Sequence, residues 1–390
     1  MSLSVLSPGE IKLPDGRAVD FANLDYAATA PCLSRVADAV SELLPWYASV
    51  HRGAGALSAR CTREYEQARE SVADFLNCRP GDQVVFTRNT TDALNLLARA
   101  LPDGTTVVTF DSDHHANLLP WPRRTRIPAL STPAESVAVL DAALAGIHGD
   151  VLVSVTGASN VTGEVWPVSA LAAVAHRHGA RIAVDAAQLA PHLPVDLVEL
   201  DVDYLALSGH KLYAPFGAGV LAGRADWLDA AEPYLAGGGA TLHVGDGVVE
   251  WAAGPARHEA GTPNLIGAVA LATACRALLE TDRAALLVEE QGLIAQLRDG
   301  LAPFGRELRL FPRDAFRVGI VSFTVDGHDP QALADTLGRD HGIGVRAGRF
   351  CAHPLTDRLT GGRPAIRASI GVGTRPEHVD RLVTALADLS

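Results

Sequence analysis

The sequence predicts an α/β protein with a large, mainly parallel sheet domain and a smaller α+β domain. Three observations carry that expectation. Between residues 64 and 225, short β-branched runs alternate with helical stretches, the rhythm of strands joined by crossover helices. Several of those runs are apolar on both faces, as strands buried between helix layers should be. After a Gly- and Pro-rich stretch at 233–264 the alternation gives way to long helical segments with isolated strands.

Taken in order, Glu64–Asn77 has a helical pattern with apolar Val72, Phe75 and Leu76, and Arg79-Pro80-Gly81-Asp82 stops it. Strands are expected at Val84–Thr87, Thr106–Phe110, Val151–Val155, Arg181–Asp185, Tyr204–Leu207 and Gly219–Ala222. Helices fall between them at Thr91–Leu101, Ala134–Leu144 and Val168–His178. Residues 233–264 read as loop. A helical region at Ile266–Leu301, a strand at Val318–Val325 and helices at Pro330–Asp340 and Pro376–Leu389 follow. The expected division is a large domain over 17–264 and a small one over 265–390, the latter joined by segment 1–16.

Composition mainly excludes. With 390 residues, 48% of them hydrophobic and 20% charged, the chain can bury a large core and is not a disordered one. A formal net charge of −12 argues against non-specific binding to nucleic acid or an anionic membrane. The N-terminus lacks a basic segment followed by a long apolar one, and no apolar run reaches the roughly 18 residues of a membrane span, so a cytoplasmic protein is expected. Cys32, Cys61, Cys78, Cys275 and Cys351 are odd in number, scattered and free of CxxC spacing. That pattern fits a reducing compartment and disfavours a disulfide framework or zinc site. Neither His114/His115 nor His176/His178 has helical ligand spacing, so no metal centre is expected.

Ligands of open α/β sheets bind beyond the carboxyl ends of the strands. Thr90-Thr91, Asp113-His114-His115, Ser159-Asn160, Asp185 with Gln188, and Ser208-Gly209-His210-Lys211 all stand at such ends. Lys211 is the residue to explain: with Lys12 it makes the chain's only two lysines among 33 basic residues. Arginine would carry the charge equally well but stays protonated, so it cannot form a Schiff base. Pyridoxal phosphate (PLP) would account for the companions. Asp185 suits its pyridine nitrogen, which needs a carboxylate, although Asp here can equally be a helix N-cap. Thr90-Thr91, Ser208 and His210 suit the phosphate at a helix start, with N-capping again the plain alternative for Thr90. Gln188 and Asn160 can reach the ring hydroxyl or a substrate carboxylate, and His114 can stack on the ring and shuttle protons. Taken singly, these three are ordinary loop polars.

Ser208-Gly209-His210-Lys211-Leu212-Tyr213, with Pro215, Gly217 and Gly219-Val220-Leu221, resembles the PLP-lysine motif of class V aminotransferase-fold enzymes. The chain is most similar to their group II, Suf-type cysteine desulfurases and selenocysteine lyases. The likeness continues in family order through Leu24-Asp25, His51-Arg52-Gly53, Arg88 to Asp92, His114-His115-Ala116-Asn117, Ser159-Asn160-Val161 and Asp185-Ala186-Ala187-Gln188. It ends with Glu259 to Asn264 and with Val345-Arg346-Ala347-Gly348 leading to Cys351-Ala352.

This resemblance implies an aspartate-aminotransferase-like fold, a homodimer, and PLP as cofactor. Lys211 would bind PLP covalently and move the substrate α-proton, with Asp185 on the pyridine nitrogen, Gln188 on the ring oxygen and His114 stacked. Thr91, Ser208 and His210 would hold the phosphate, joined by Thr262 from the partner subunit. Arg367 would clamp the α-carboxylate with Asn160 assisting, and Arg346 would be a second arginine of the site. Cys351, which alone could be a small buried hydrophobe, matches the family's nucleophile. Its Gly/Arg-rich setting, Arg346–Pro354, is expected to lower the thiol pKa. It would attack the sulfur of PLP-bound L-cysteine, releasing alanine and leaving a persulfide for an acceptor protein, as in iron–sulfur cluster assembly. Arg349-Phe350 and His353 depart from the family's usual neighbours of this cysteine. The alternatives are a C–S lyase, selenocysteine lyase, epimerase or aminotransferase of the same fold. A dinucleotide-binding protein is disfavoured, because Gly342-Ile343-Gly344 follows a helix.

Overall fold

The computed structural model describes residues 3–389. Its centre is a seven-stranded sheet: β1 (Asp82–Thr87), β2 (Thr106–Phe110), β3 (Arg124–Ile127), β4 (Val151–Thr156), β5 (Arg181–Asp185), β6 (Tyr204–Ser208) and β7 (Gly219–Arg224). The spatial order is β1-β7-β6-β5-β4-β2-β3. Six of these run in one direction, and β7 lies antiparallel to both β1 and β6. β3 went unpredicted from sequence because Arg124, Thr125 and Arg126 are exposed and give an edge strand no apolar signature.

Apolar residues on successive strand positions divide between two helix layers. Val84, Val108, Val153, Val184 and Leu205 pack on one face with helices Ser34–Leu43, Pro133–Leu144 and Val168–Arg177. Val85, Val107, Leu152, Ala183 and Ala206 pack on the other with helix Thr90–Ala100. The sheet is therefore dry on both sides, which is why its strands read as continuous apolar runs.

A second core lies around a four-stranded antiparallel sheet built from Gly305–Glu307, Ile320–Val325, Ala365–Ser369 and Arg346–Gly348. Ile294, Leu297, Phe323, Leu337, Ile366 and Leu382 fill it.

The helical region expected over Ile266–Leu301 is two helices, Leu265–Leu279 and Arg283–Leu301, with the second capped by Asp282. The first, apolar nearly all round, sends Leu271, Ala274, Cys275 and Leu278 into the large core. Conversely, Ala22 and Leu24 sit in the small core, and Ala22–Asn23 pairs with Ile343–Gly344. Residues 233–264, expected to be loop, contain a hairpin of Thr241–Gly245 and Val248–Trp251. Among the described residues no helix is long and apolar enough to cross a membrane.

Candidate active site

Strand register brings the sequence-predicted residues to one edge. Thr156 and Asp185 are register partners at the ends of β4 and β5, and Gly219 at the start of β7 faces both Thr87 and Ser208. A Cβ on Gly219 would come within 2.5 Å of the Asn89 backbone, so glycine is what lets the turn after β1 cross the sheet edge. That turn starts helix Thr90–Ala100, capped by Asn89, whose side chain accepts from the Asp92 N–H. Thr90 is buried and Thr91 exposed. The Thr90 N–H donates to Ser208 Oγ at 2.8 Å, and the two hydroxyls lie 2.8 Å apart. A helix start and two hydroxyls thus share one corner, an arrangement suited to a phosphate.

The cavity at this edge is lined by Thr90, Thr91, His114, Asn160, Asp185, Gln188, Ser208, His210, Lys211, Arg346, Cys351 and Arg367. Of the residues assigned to the site from sequence, only Thr262 lies elsewhere. It is exposed, on the loop after Glu259.

Lys211 follows the tight turn after β6, and its amine is pushed down to about 8, chiefly by burial, with the Arg367 and Arg346 charges adding to the effect and Asp185 opposing it. A neutral amine is therefore accessible near physiological pH, which Schiff-base chemistry needs. Asp185 is buried at the end of β5, and its Oδ1 accepts the Ala187 N–H at 2.9 Å. Burial raises its pKa while Lys211 lowers it, so a cationic partner in the cavity would favour its ionised form. Gln188 donates one amide N–H to the Ala27 carbonyl at 2.8 Å, leaving the other for a cavity oxygen.

His114 differs from part of its expected role. Its Nδ1 accepts the Ala116 N–H at 3.0 Å, which puts the ring proton on Nε2. Burial above all, then the Lys211 charge, holds its pKa down at about 3. The ring is neutral and fixed. That suits stacking and N–H donation; with Nδ1 engaged and the pKa so low, it does not suit proton shuttling near neutrality. His210 is likewise neutral, lowered to about 4 by burial.

Arg367 is almost fully buried in the small-domain sheet and pairs across strands with Arg346. It donates to the Asn160 backbone carbonyl at 3.0 Å and to Asp25 at 3.2 Å, while its Nε–H has no protein partner. Burial brings its pKa down to about 10, still cationic at neutral pH. Asn160 spends its side-chain amide on the Phe350 carbonyl at 2.6 Å, so it anchors the cysteine turn as well as facing the cavity. Cys351 is exposed at the cavity, and both Phe350 and Cys351 have left-handed backbone, φ 53° and 54°. The Cys351 carbonyl accepts the His115 N–H at 2.8 Å. Two consecutive non-glycine residues in this region are costly, by about 1–3 kcal/mol each, and persist only where their surroundings fix them. Arg349, expected to add positive charge beside the thiol, instead pairs with Asp357 at 2.6 Å. The cations left to the cavity are Arg346, Arg367 and Lys211.

Sequence reasoning assigned no role to Asp25, Asn89 or Phe350. Asp25 stands within a recognised motif, but its partner Arg367 is 342 residues away, and no spacing signals such a pair.

Residues 22–382 match the family model described as aminotransferase class-V. The chain is 36% identical to the probable cysteine desulfurase of Vibrio cholerae, over 93% of this chain and 92% of that protein. It is 38% identical to the probable cysteine desulfurase of Aeropyrum pernix, over 94% and 93%. Among solved structures, the apo cysteine desulfurase of Thermococcus onnurineus NA1 superposes with a TM-score of 0.87 at 33% identity, covering 95% of this chain and 94% of that one.

Proposed function

The chain belongs to the class V aminotransferase family, and from that premise we propose that it is a PLP-dependent cysteine desulfurase. It takes sulfur from L-cysteine, releases L-alanine and carries the sulfur as a persulfide on Cys351 for an acceptor protein. The observation that carries this reading is the exposed Cys351 on a turn held at the rim of the cavity that also contains Lys211 and Arg367.

The donor set fits the cofactor: an anion corner at Thr90, Thr91 and Ser208, a buried carboxylate at Asp185 and a lysine of lowered pKa. PLP, when bound, supplies an electrophilic carbonyl for the substrate amine and a ring that takes up the electron pair released at Cα. Asp185 would keep the ring nitrogen protonated, Gln188 would donate to the ring oxygen, and neutral His114 would offer its face to the ring. Lys211 would anchor the cofactor, and its neutral Nζ would move the substrate Cα proton. Arg367, lining the cavity, would receive the α-carboxylate, with Arg346 beside it adding positive field. The Cys351 thiolate then attacks the substrate sulfur. An S–S bond forms, the C–S bond breaks, and its electron pair stays with the carbon skeleton, which takes up a proton to become alanine.

In the homodimer this reading implies, Thr262 completes the partner's phosphate corner, and its exposure away from this chain's own cavity supports that role. The Suf-type subgroup and a cytoplasmic setting belong to the same proposal; the cysteines are all unpaired thiols. Incubating the holoenzyme with L-cysteine and a reductant should give alanine and sulfide, and without reductant Cys351 should gain the mass of one sulfur atom. Cys351→Ala should abolish both. Full sulfide release by that variant, with pyruvate as product, would make the enzyme a β-eliminating lyase instead.

A further inference from the structure

Resting on the desulfurase reading, we propose that Phe350 is a positioning residue that couples the carboxylate-binding arginine to the turn presenting Cys351. Three contacts close a ring. The Arg367 guanidinium carbon lies 5.1 Å from the centroid of the Phe350 ring. Arg367 donates to the Asn160 carbonyl at 3.0 Å, and the Asn160 side chain donates to the Phe350 carbonyl at 2.6 Å. Through these contacts neither the arginine nor the turn can shift without disturbing the other.

The residue type matters at this position. Phe350 is 4% exposed, and its ring packs with Leu308 and Leu355 in a small cluster of its own. Its backbone is held at φ 53°, a conformation unfavourable to a bulky side chain. A leucine would fill the apolar cluster, but only an aromatic ring offers a π face to the buried guanidinium. A carboxylate arriving at Arg367, which lines the cavity, offsets the guanidinium charge and so weakens its pull on the ring. Occupancy of the carboxylate site is thereby transmitted to the residue immediately before the nucleophile. The thiol is presented differently when a substrate or product carboxylate is in place.

The test uses the holoenzyme and L-alanine, which carries the carboxylate but no sulfur. Saturating L-alanine is expected to change the rate of Cys351 alkylation by iodoacetamide, followed by mass spectrometry, by about threefold or more. Phe350→Leu should abolish that response and weaken L-alanine binding, read from cofactor absorbance, by roughly five- to tenfold. Ethylamine, which has no carboxylate, should bind the variant as it binds the native enzyme, and Phe350→Tyr should restore both effects. The proposal is overturned if L-alanine leaves Cys351 alkylation unchanged in the native enzyme, a measurement needing no variant. It is equally overturned if Phe350→Leu weakens ethylamine and L-alanine alike, since the ring would then only fill space. Absence of alanine and sulfide from L-cysteine would remove the desulfurase reading, while the alkylation and binding comparisons would still decide the coupling.

Discussion

The Ser208 hydroxyl accepts the Thr90 backbone N–H at 2.8 Å, joining residues 118 apart in the chain. This bond ties the helix start after β1 to the end of β6, the strand that delivers Lys211. The corner that can hold a phosphate and the residue that can hold the aldehyde are thereby set in one frame.

Removing that tie should loosen cofactor retention more than folding. Ser208→Ala deletes an acceptor for Thr90 and a donor for the phosphate, and the apparent Kd for PLP is expected to rise about tenfold. Absorbance-monitored titration of the apoprotein measures it. An unchanged Kd would place the phosphate elsewhere.

Cofactor uptake should follow the ionisation of Lys211. Because its amine titrates at about 8 in the apoprotein, the rate of PLP binding should climb about tenfold per pH unit below that value and level off above it. Stability carries the same signature. The folded pKa lies below the ordinary 10.5, so between about 8 and 10.5 the unfolded chain binds the extra proton and apoprotein stability rises with pH. Below about 8 the penalty is complete. Lys211→Met should then stabilise the apoprotein by ~1–3 kcal/mol while abolishing covalent cofactor attachment. Denaturant melts at about pH 8 and about pH 10 check this, and a freely solvated lysine would contribute no difference between them.

The Asp185 carboxylate should matter to turnover far more than to binding. Asp185→Asn keeps the size and the hydrogen bond to Ala187, yet cannot hold a protonated ring nitrogen. Exchange of the L-alanine α-proton with deuterated solvent, followed by NMR, is expected to slow about 100-fold or more. Exchange at the native rate would show that ring protonation does not depend on this carboxylate.

Domain docking rests on another buried acid. Glu164 is fully buried and accepts the backbone N–H groups of Leu310 and Phe311, as well as the Thr162 hydroxyl. Glu164→Ala would leave those donors without an acceptor and should cost about 3 kcal/mol of unfolding free energy. Chemical denaturation measures the loss, and a change below 1 kcal/mol would mean that water replaces the carboxylate.

Much of this protein is local information. Strand-then-helix alternation, with apolar residues on both faces of several strands, determined the parallel sheet from sequence. Because such sheets gather ligands at one edge, the sequence alone singles out Lys211, Asp185, Gln188 and the Thr90-Thr91 pair. The scarcity of lysine pointed to Lys211, since arginine can replace its charge but not its Schiff-base chemistry. Tertiary structure decided what crosses the chain. Arg367 meets Asp25, stands opposite Arg346 and touches Asn160, while Asn160 grips the turn of Cys351. The helix Leu265–Leu279 joined the large core because the space for its apolar surface lay there, not because its pattern said so. Periodicity records which face of an element is buried. Which distant element covers that face, and which charge ends beside which thiol, depends on sheet order and domain docking, and those leave no repeat in the sequence.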